Sequence, residues 1–161
     1  LGLTVLSSEL IDKSTFGKVA HSLGNDWDWD KISKCAINIA EENPRRYKPL
    51  GDGGFACWGF ERFFPEVLSY MKELKPDYQP RAQLFCSTTA TSKSFDLHSD
   101  PGQYLWIWQV IGSTPWQVEN EQFVLHENEM LYIDNELLHC AMPNSPRASF
   151  TFSLEKEHFY G

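Results

Sequence analysis

The sequence predicts an α+β, mainly β protein: an antiparallel barrel or sandwich with N-terminal helices packed on it. Three observations lead there. Up to about residue 80 the apolar residues fall at helical spacing. From Arg81 the texture changes to short β-branched and aromatic runs separated by turn residues, seven or so in about 75 residues. Hydrophobic residues make up 42% of the 161, with six tryptophans and eleven phenylalanines, enough to fill one core. The expected organisation is a single domain over 1–161, with 1–80 a mostly helical cover and 81–157 the β core.

The elements follow in chain order. Leu10 to Leu23 carry apolar residues at helix-like spacing, closed by Gly24. "DWDWDKISKCAINIAEEN" opens with acidic residues that suit a helix N-terminus, places Ile32, Cys35, Ala36, Ile39 and Ala40 on one face, and ends at Pro44. "KPLGDGGFACWG" reads as a glycine-rich loop. Its "GDGG" lacks the Lys-Ser/Thr of a phosphate-binding loop and reads as a plain turn. "FERFFPEVLSYMKELK" is a further helix, stopped before Pro76. The strands expected next are "RAQLFCSTTATS", "SFDLHSD", "QYLWIWQVIG", "TPWQVEN", "EQFVLHE", "EMLYID" and "ASFTFSLEK".

Composition excludes several functions. A net charge of −8 argues against a general attraction to nucleic-acid phosphates. No apolar run approaches the ~20 residues of a membrane span, and the first residues do not read as a secretory leader. The four cysteines, Cys35, Cys57, Cys86 and Cys140, form no CxxC pair. They read as free thiols in a reduced, cytoplasmic chain rather than as disulfides or a zinc site.

The chemistry lies in "DLHSDPG". On a strand, residues two apart point to the same side, so His98 and Asp100 would project together. A His-x-Asp alone is common and is most often an ordinary turn. Forty-one residues on, His139 follows a strand and a turn in the β half, and the run between contains enough strand to bring the chain back. Two imidazoles and one carboxylate form the facial triad of non-haem Fe(II) oxygenases, with the opposite coordination positions open. His21, in a helical stretch, His126, in a polar turn, and His158, in the charged tail, read as surface residues.

With these residues in view, the sequence resembles the Fe(II)/2-oxoglutarate-dependent oxygenases of the cupin superfamily, JmjC-like in type. "LHSDPGQYLWIWQVIGSTPW" is similar to the family's His-x-Asp strand and the strand after it, ending in Gln109-x-x-Gly112. "NEMLYIDNELLHCAMPN" is similar to the second cupin motif, with Asn128, Asp134 and Glu136 where the family has its turn glycines and proline. "PRASFTFSLE" is similar to its final strand. The likeness covers about residues 81–155 and implies a double-stranded β-helix, the jelly-roll or cupin barrel.

The resemblance also implies that His98, Asp100 and His139 ligate Fe(II) and that 2-oxoglutarate is a cosubstrate, decarboxylated with O2 to succinate and CO2 while a substrate C–H bond is hydroxylated. The far carboxylate of 2-oxoglutarate needs a basic anchor. Arg147, with Ser149 on the same side of the strand, matches the Arg-x-Ser that many of these enzymes carry there. That polar side continues as Thr151 and Ser153. It would line a barrel lumen, or equally be the solvated face of the strand. The JmjC-type lysine just past the glycine is absent, and Thr114 stands in its place. Gln83 and Tyr104 are further candidates for hydrogen bonds to the cosubstrate. Two other readings stay open: a non-catalytic cupin-like binding domain, and a cupin metalloenzyme that does not use 2-oxoglutarate. The hydroxylation substrate, a protein side chain or a small molecule, is not named by the sequence. The N-terminal helices offer a surface for a homodimer.

Overall fold

In the computed structural model the described residues are 16–20, 26–90, 96–134, 136–142 and 146–156, residues 17–20 as backbone only. Ten strands and two α-helices follow in order: β1 Phe16–Ala20, α1 Trp29–Glu42, β2 Tyr47–Gly51, β3 Gly54–Trp58, α2 Pro65–Leu74, β4 Tyr78–Ser87, β5 Gln103–Ile111, β6 Thr114–Val118, β7 Glu121–Leu125, β8 Glu129–Asp134, β9 His139–Ala141 and β10 Arg147–Lys156. They build a seven-stranded sheet, β1-β8-β5-β10-β4-β3-β2, and a three-stranded sheet, β7-β6-β9. Every pairing is antiparallel. This is the α+β, mainly β, double-stranded β-helix expected. No described helix is long and apolar enough to cross a membrane.

The N-terminal half differs from its sequence reading. Phe16–Ala20, read as part of a helix, is a strand on β8 (Phe16 opposite Ile133, Ala20 opposite Glu129). Open backbone groups on β8 outweigh a weak local helical preference there. The rest of the Leu10–Leu23 helix lies outside the described residues. "KPLGDGGFACWG" is a β-hairpin, β2 and β3, rather than a loop. Its turn bends through Gly51, Asp52 and Gly53, all at positive φ. Asp-Gly between strands is a strong hairpin signal, and the glycines that end the strands masked it. "SFDLHSD" is no regular strand among its described residues. It contributes a single bridge at His98.

The helices form as their sequences dictate. Asp28 caps α1, its carboxylate accepting the Lys31 N–H at 2.8 Å. Ile32, Ala36 and Ile39 on its inner face are buried. Pro65 opens α2, whose Val67 and Met71 are buried.

The main core lies between these helices and the outer face of the large sheet. Trp106, Trp108, Phe150, Phe152 and Leu154 come from the sheet, Trp27, Phe60 and Phe64 from the covering segment. The Phe150 ring centre is 4.8 Å from that of Trp27 and 4.9 Å from that of Phe64. A smaller cluster of Leu105, Ile107, Val118, Leu125, Leu131 and Ile133 closes one end of the space between the two sheets. The other end stays open, and the polar side of β10 faces it.

Candidate metal centre

His98 and His139 are joined by the backbone. The His98 N–H donates to the His139 carbonyl (3.1 Å) and the His139 N–H donates to the His98 carbonyl (2.7 Å). Such a reciprocal antiparallel pair puts both side chains on one face. The rings lie 4.6 Å apart between centres. Asp100 stands two residues on, in the turn before β5 that is held by the Gln103 N–H donating to the Asp100 carbonyl (3.1 Å). Its Oδ2 is 2.9 Å from His139 Nε2 and 3.6 Å from His98 Nε2. One ligand atom from each of the three falls within 4.8 Å of the others. The cross-strand bridge, rather than alternation along one strand, brings the group together.

The outward ring nitrogens bear on what the group can bind. His98 Nδ1 faces the Asp96 carbonyl (2.5 Å) and His139 Nδ1 faces the Leu137 carbonyl (3.0 Å). A carbonyl only accepts, so Nδ1 is the donor on each ring, and Nε2 is the nitrogen turned towards Asp100, with its lone pair inward whenever the ring is neutral. With both rings neutral, two lone pairs and a carboxylate oxygen converge on one point. A divalent cation at their centre satisfies all three. The carbonyls behind the rings orient the ligands as in established His-metal sites. An N2O set with one side open suits Fe(II) or a similar first-row ion.

The group opens into a cavity of about 430 Å3 between the sheets, within the range of small-molecule sites. Arg147, Ser149, Thr114 and Gln83 line it with the triad. Arg147 is buried, and burial pulls its guanidinium below the usual arginine range. Gly112, at φ +70, lets the start of β10 approach. A Cβ there would stand 2.5 Å from the Pro146 carbonyl oxygen and 3.4 Å from Arg147 Cα. The Thr114 hydroxyl donates to Gln109 Oε1 (3.0 Å), and Gln109 Nε2 donates to the Ile111 carbonyl (3.0 Å). Thr114 therefore offers the cavity an acceptor rather than a donor.

Tyr104 is not brought to the site. It lies opposite Leu154 on the outer face of the sheet, its ring 5.6 Å from that of Tyr78. Position along β5 decides this: Gln103, Leu105 and Ile107 point to the cavity, so Tyr104 points away. His126 is exposed, as expected of a surface residue, while His21 and His158 lie outside the described residues. All four cysteines are free. Sequence reading did not assign Arg46, Trp58 or Arg81 to the site, yet each lines the cavity. Recognising the β2–β3 hairpin would have placed Trp58 beside Gln83, its partner on β4.

No protein-family model matches this sequence, and no curated protein matches it. Solved structures do. The ribosomal oxygenase YcfD of Escherichia coli superposes with a TM-score of 0.67 at 12% identity over 87% of this chain and 47% of that one. A second structure of it, in complex with cobalt and succinic acid, gives 0.55 at 14% identity over 68% and 34%. Salicylate 1,2-dioxygenase of Pseudaminobacter salicylatoxidans gives 0.51 at 11% identity over 84% and 36%. The chain spans about half the length of the YcfD chain in the first comparison. At these identities the likeness establishes the shared cupin fold.

Proposed function

We propose that this chain is an Fe(II)- and 2-oxoglutarate-dependent dioxygenase that hydroxylates a protein side chain or a small molecule. One observation carries the reading: two imidazole nitrogens and a carboxylate oxygen converge within 4.8 Å on the cavity that Arg147 also lines. His98, Asp100 and His139 hold the metal. Fe(II) with 2-oxoglutarate, when bound, supplies the O2-dependent hydroxylation of a C–H bond.

The protein's own residues do the rest. Asp96 and Leu137 hold the imidazoles in the ligating tautomer through their carbonyls. Arg147 pairs with the far carboxylate of 2-oxoglutarate, and its burial strengthens that pairing. Ser149 and Gln83 line the same cavity, and in this reading the hydroxyl and the amide donate to the same ligand. Leu105, Ile107 and Trp116 form a drier wall. That one superposed structure of YcfD is a complex with cobalt and succinic acid supports pairing a metal with a dicarboxylate here. Free thiols and a ferrous site both suit a reducing, cytoplasmic setting.

A second reading, a cupin metalloenzyme or binding domain that does not use 2-oxoglutarate, is favoured by Thr114. It stands where a lysine was expected, and its proton is committed to Gln109. Anaerobic titration with Fe(II) and then 2-oxoglutarate separates the two. The first reading expects a visible metal-to-ligand charge-transfer band that is lost in His98→Ala. Arg147→Ala should need roughly 10- to 100-fold more 2-oxoglutarate, the worth of a charge-assisted hydrogen-bonded pair. Iron binding with no band at any 2-oxoglutarate concentration would sink the first reading and leave the second. No iron binding at all would sink the triad.

A further inference from the structure

We infer that Arg46 is a substrate-binding residue that pairs with a carboxylate of the molecule to be hydroxylated. The inference rests on reading this cavity as the active site. Its arginines are Arg46, Arg81 and Arg147. Arg147 is committed to the cosubstrate in that reading, and Arg81 Nε lies 3.6 Å from the buried carboxylate of Glu155. The Arg46 guanidinium makes no hydrogen bond or ion pair with the described residues, although it borders a cavity that also holds Glu61 and Glu155. It is the cavity's uncommitted cation.

Its position is built. Asn43 and Pro44 start a one-turn 3-10 segment, Pro44–Arg46, in which the Asn43 side chain accepts the Arg45 N–H (3.1 Å) and the Asn43 carbonyl accepts the Arg46 N–H (3.0 Å). The side chain then lies against the backbone of Gly59, which has φ +98. A Cβ at residue 59 would overlap Arg46 Nη1 and stand 3.0 Å from its Cδ and 3.1 Å from its Cζ. The guanidinium end of Arg46 thus lies directly over Gly59, at the edge of the cavity wall. Leu50 and Trp58 line the cavity with it. A planar fork of donors beside an indole and an aliphatic side chain matches a carboxylate on an apolar or aromatic body.

The test needs neither metal nor 2-oxoglutarate, so its failure is distinct from failure of the iron titration. Phenylacetate and the neutral phenylacetamide are titrated into the full chain and followed by 15N NMR of the arginine Nε–H and tryptophan indole resonances. Phenylacetate should shift Arg46 and Trp58 together and leave Arg147 in place. Phenylacetamide should bind at least about ten-fold more weakly. Arg46→Gln should lose a similar factor with an unchanged unfolding midpoint, since Arg46 is exposed, and Arg46→Lys should fall between. Equal affinity for acid and amide, shifts centred on Arg147, or no binding of phenylacetate at millimolar concentration would overturn the assignment.

Discussion

Gly112→Ala tests whether the approach of β5 to β10 places Arg147. Gly112 has φ +70, and an alanine held there costs ~1–2 kcal/mol in backbone energy. Its Cβ would also stand 2.5 Å from the Pro146 carbonyl oxygen, so β10 must shift by about half an ångström or more. Overpacking of that kind costs roughly 1–3 kcal/mol. Alanine restricts the unfolded chain and returns ~0.4–1 kcal/mol. The net loss is about 1–5 kcal/mol, read by urea denaturation of the metal-free protein. The residues beside the clash are Pro146 and Arg147, while the triad sits on the other sheet and the turn before β5. Fe(II) affinity should therefore hold while the 2-oxoglutarate requirement rises. Gly112→Asn relieves part of the backbone cost but keeps the clash, so it should recover only part of the loss. A stability change below ~0.5 kcal/mol in Gly112→Ala, or equal loss of metal and 2-oxoglutarate binding, would refute the reasoning.

Two other predictions concern the core and the thiols. Phe150→Ala removes the ring on which Trp27, Phe60 and Phe64 converge, and should cost ~3–5 kcal/mol by denaturation; a cost under ~1 kcal/mol would mean that the helices do not depend on this contact. Burial pushes the Cys57 thiol up to about 11 from its ordinary value near 9. In the unfolded chain that thiol ionises first, so stability should fall as pH rises from about 9 towards 11. Burial raises the Cys86 thiol further still, so Cys57→Ala should reduce this slope without abolishing it in denaturation midpoints measured across the alkaline range, and an unchanged slope would remove Cys57 as a contributor.

Much of this protein is written locally. The Asp28 cap and the apolar stripe of Ile32, Ala36 and Ile39 determine α1, and alternation along "ASFTFSLEK" determines that β10 has one apolar and one polar face. The residue types of the triad, and the return of His139 after a strand and a turn, were legible for the same reason. Alternation cannot say what each face meets. Only the packing of α1 and α2 on Phe150 and Phe152 decides that the opposite face, with Ser149 and Thr151, lines a cavity rather than meeting solvent. The same packing turns Tyr104 away from that cavity. Contacts between residues distant in the chain are likewise beyond local pattern. The reciprocal hydrogen bonds of His98 and His139 join positions 41 apart, β1 is a strand because β8 offers it an edge, and Arg46 borders the cavity with its side chain lying over Gly59. Propensity and periodicity describe a segment's own preferences, whereas these features depend on the neighbour the fold supplies.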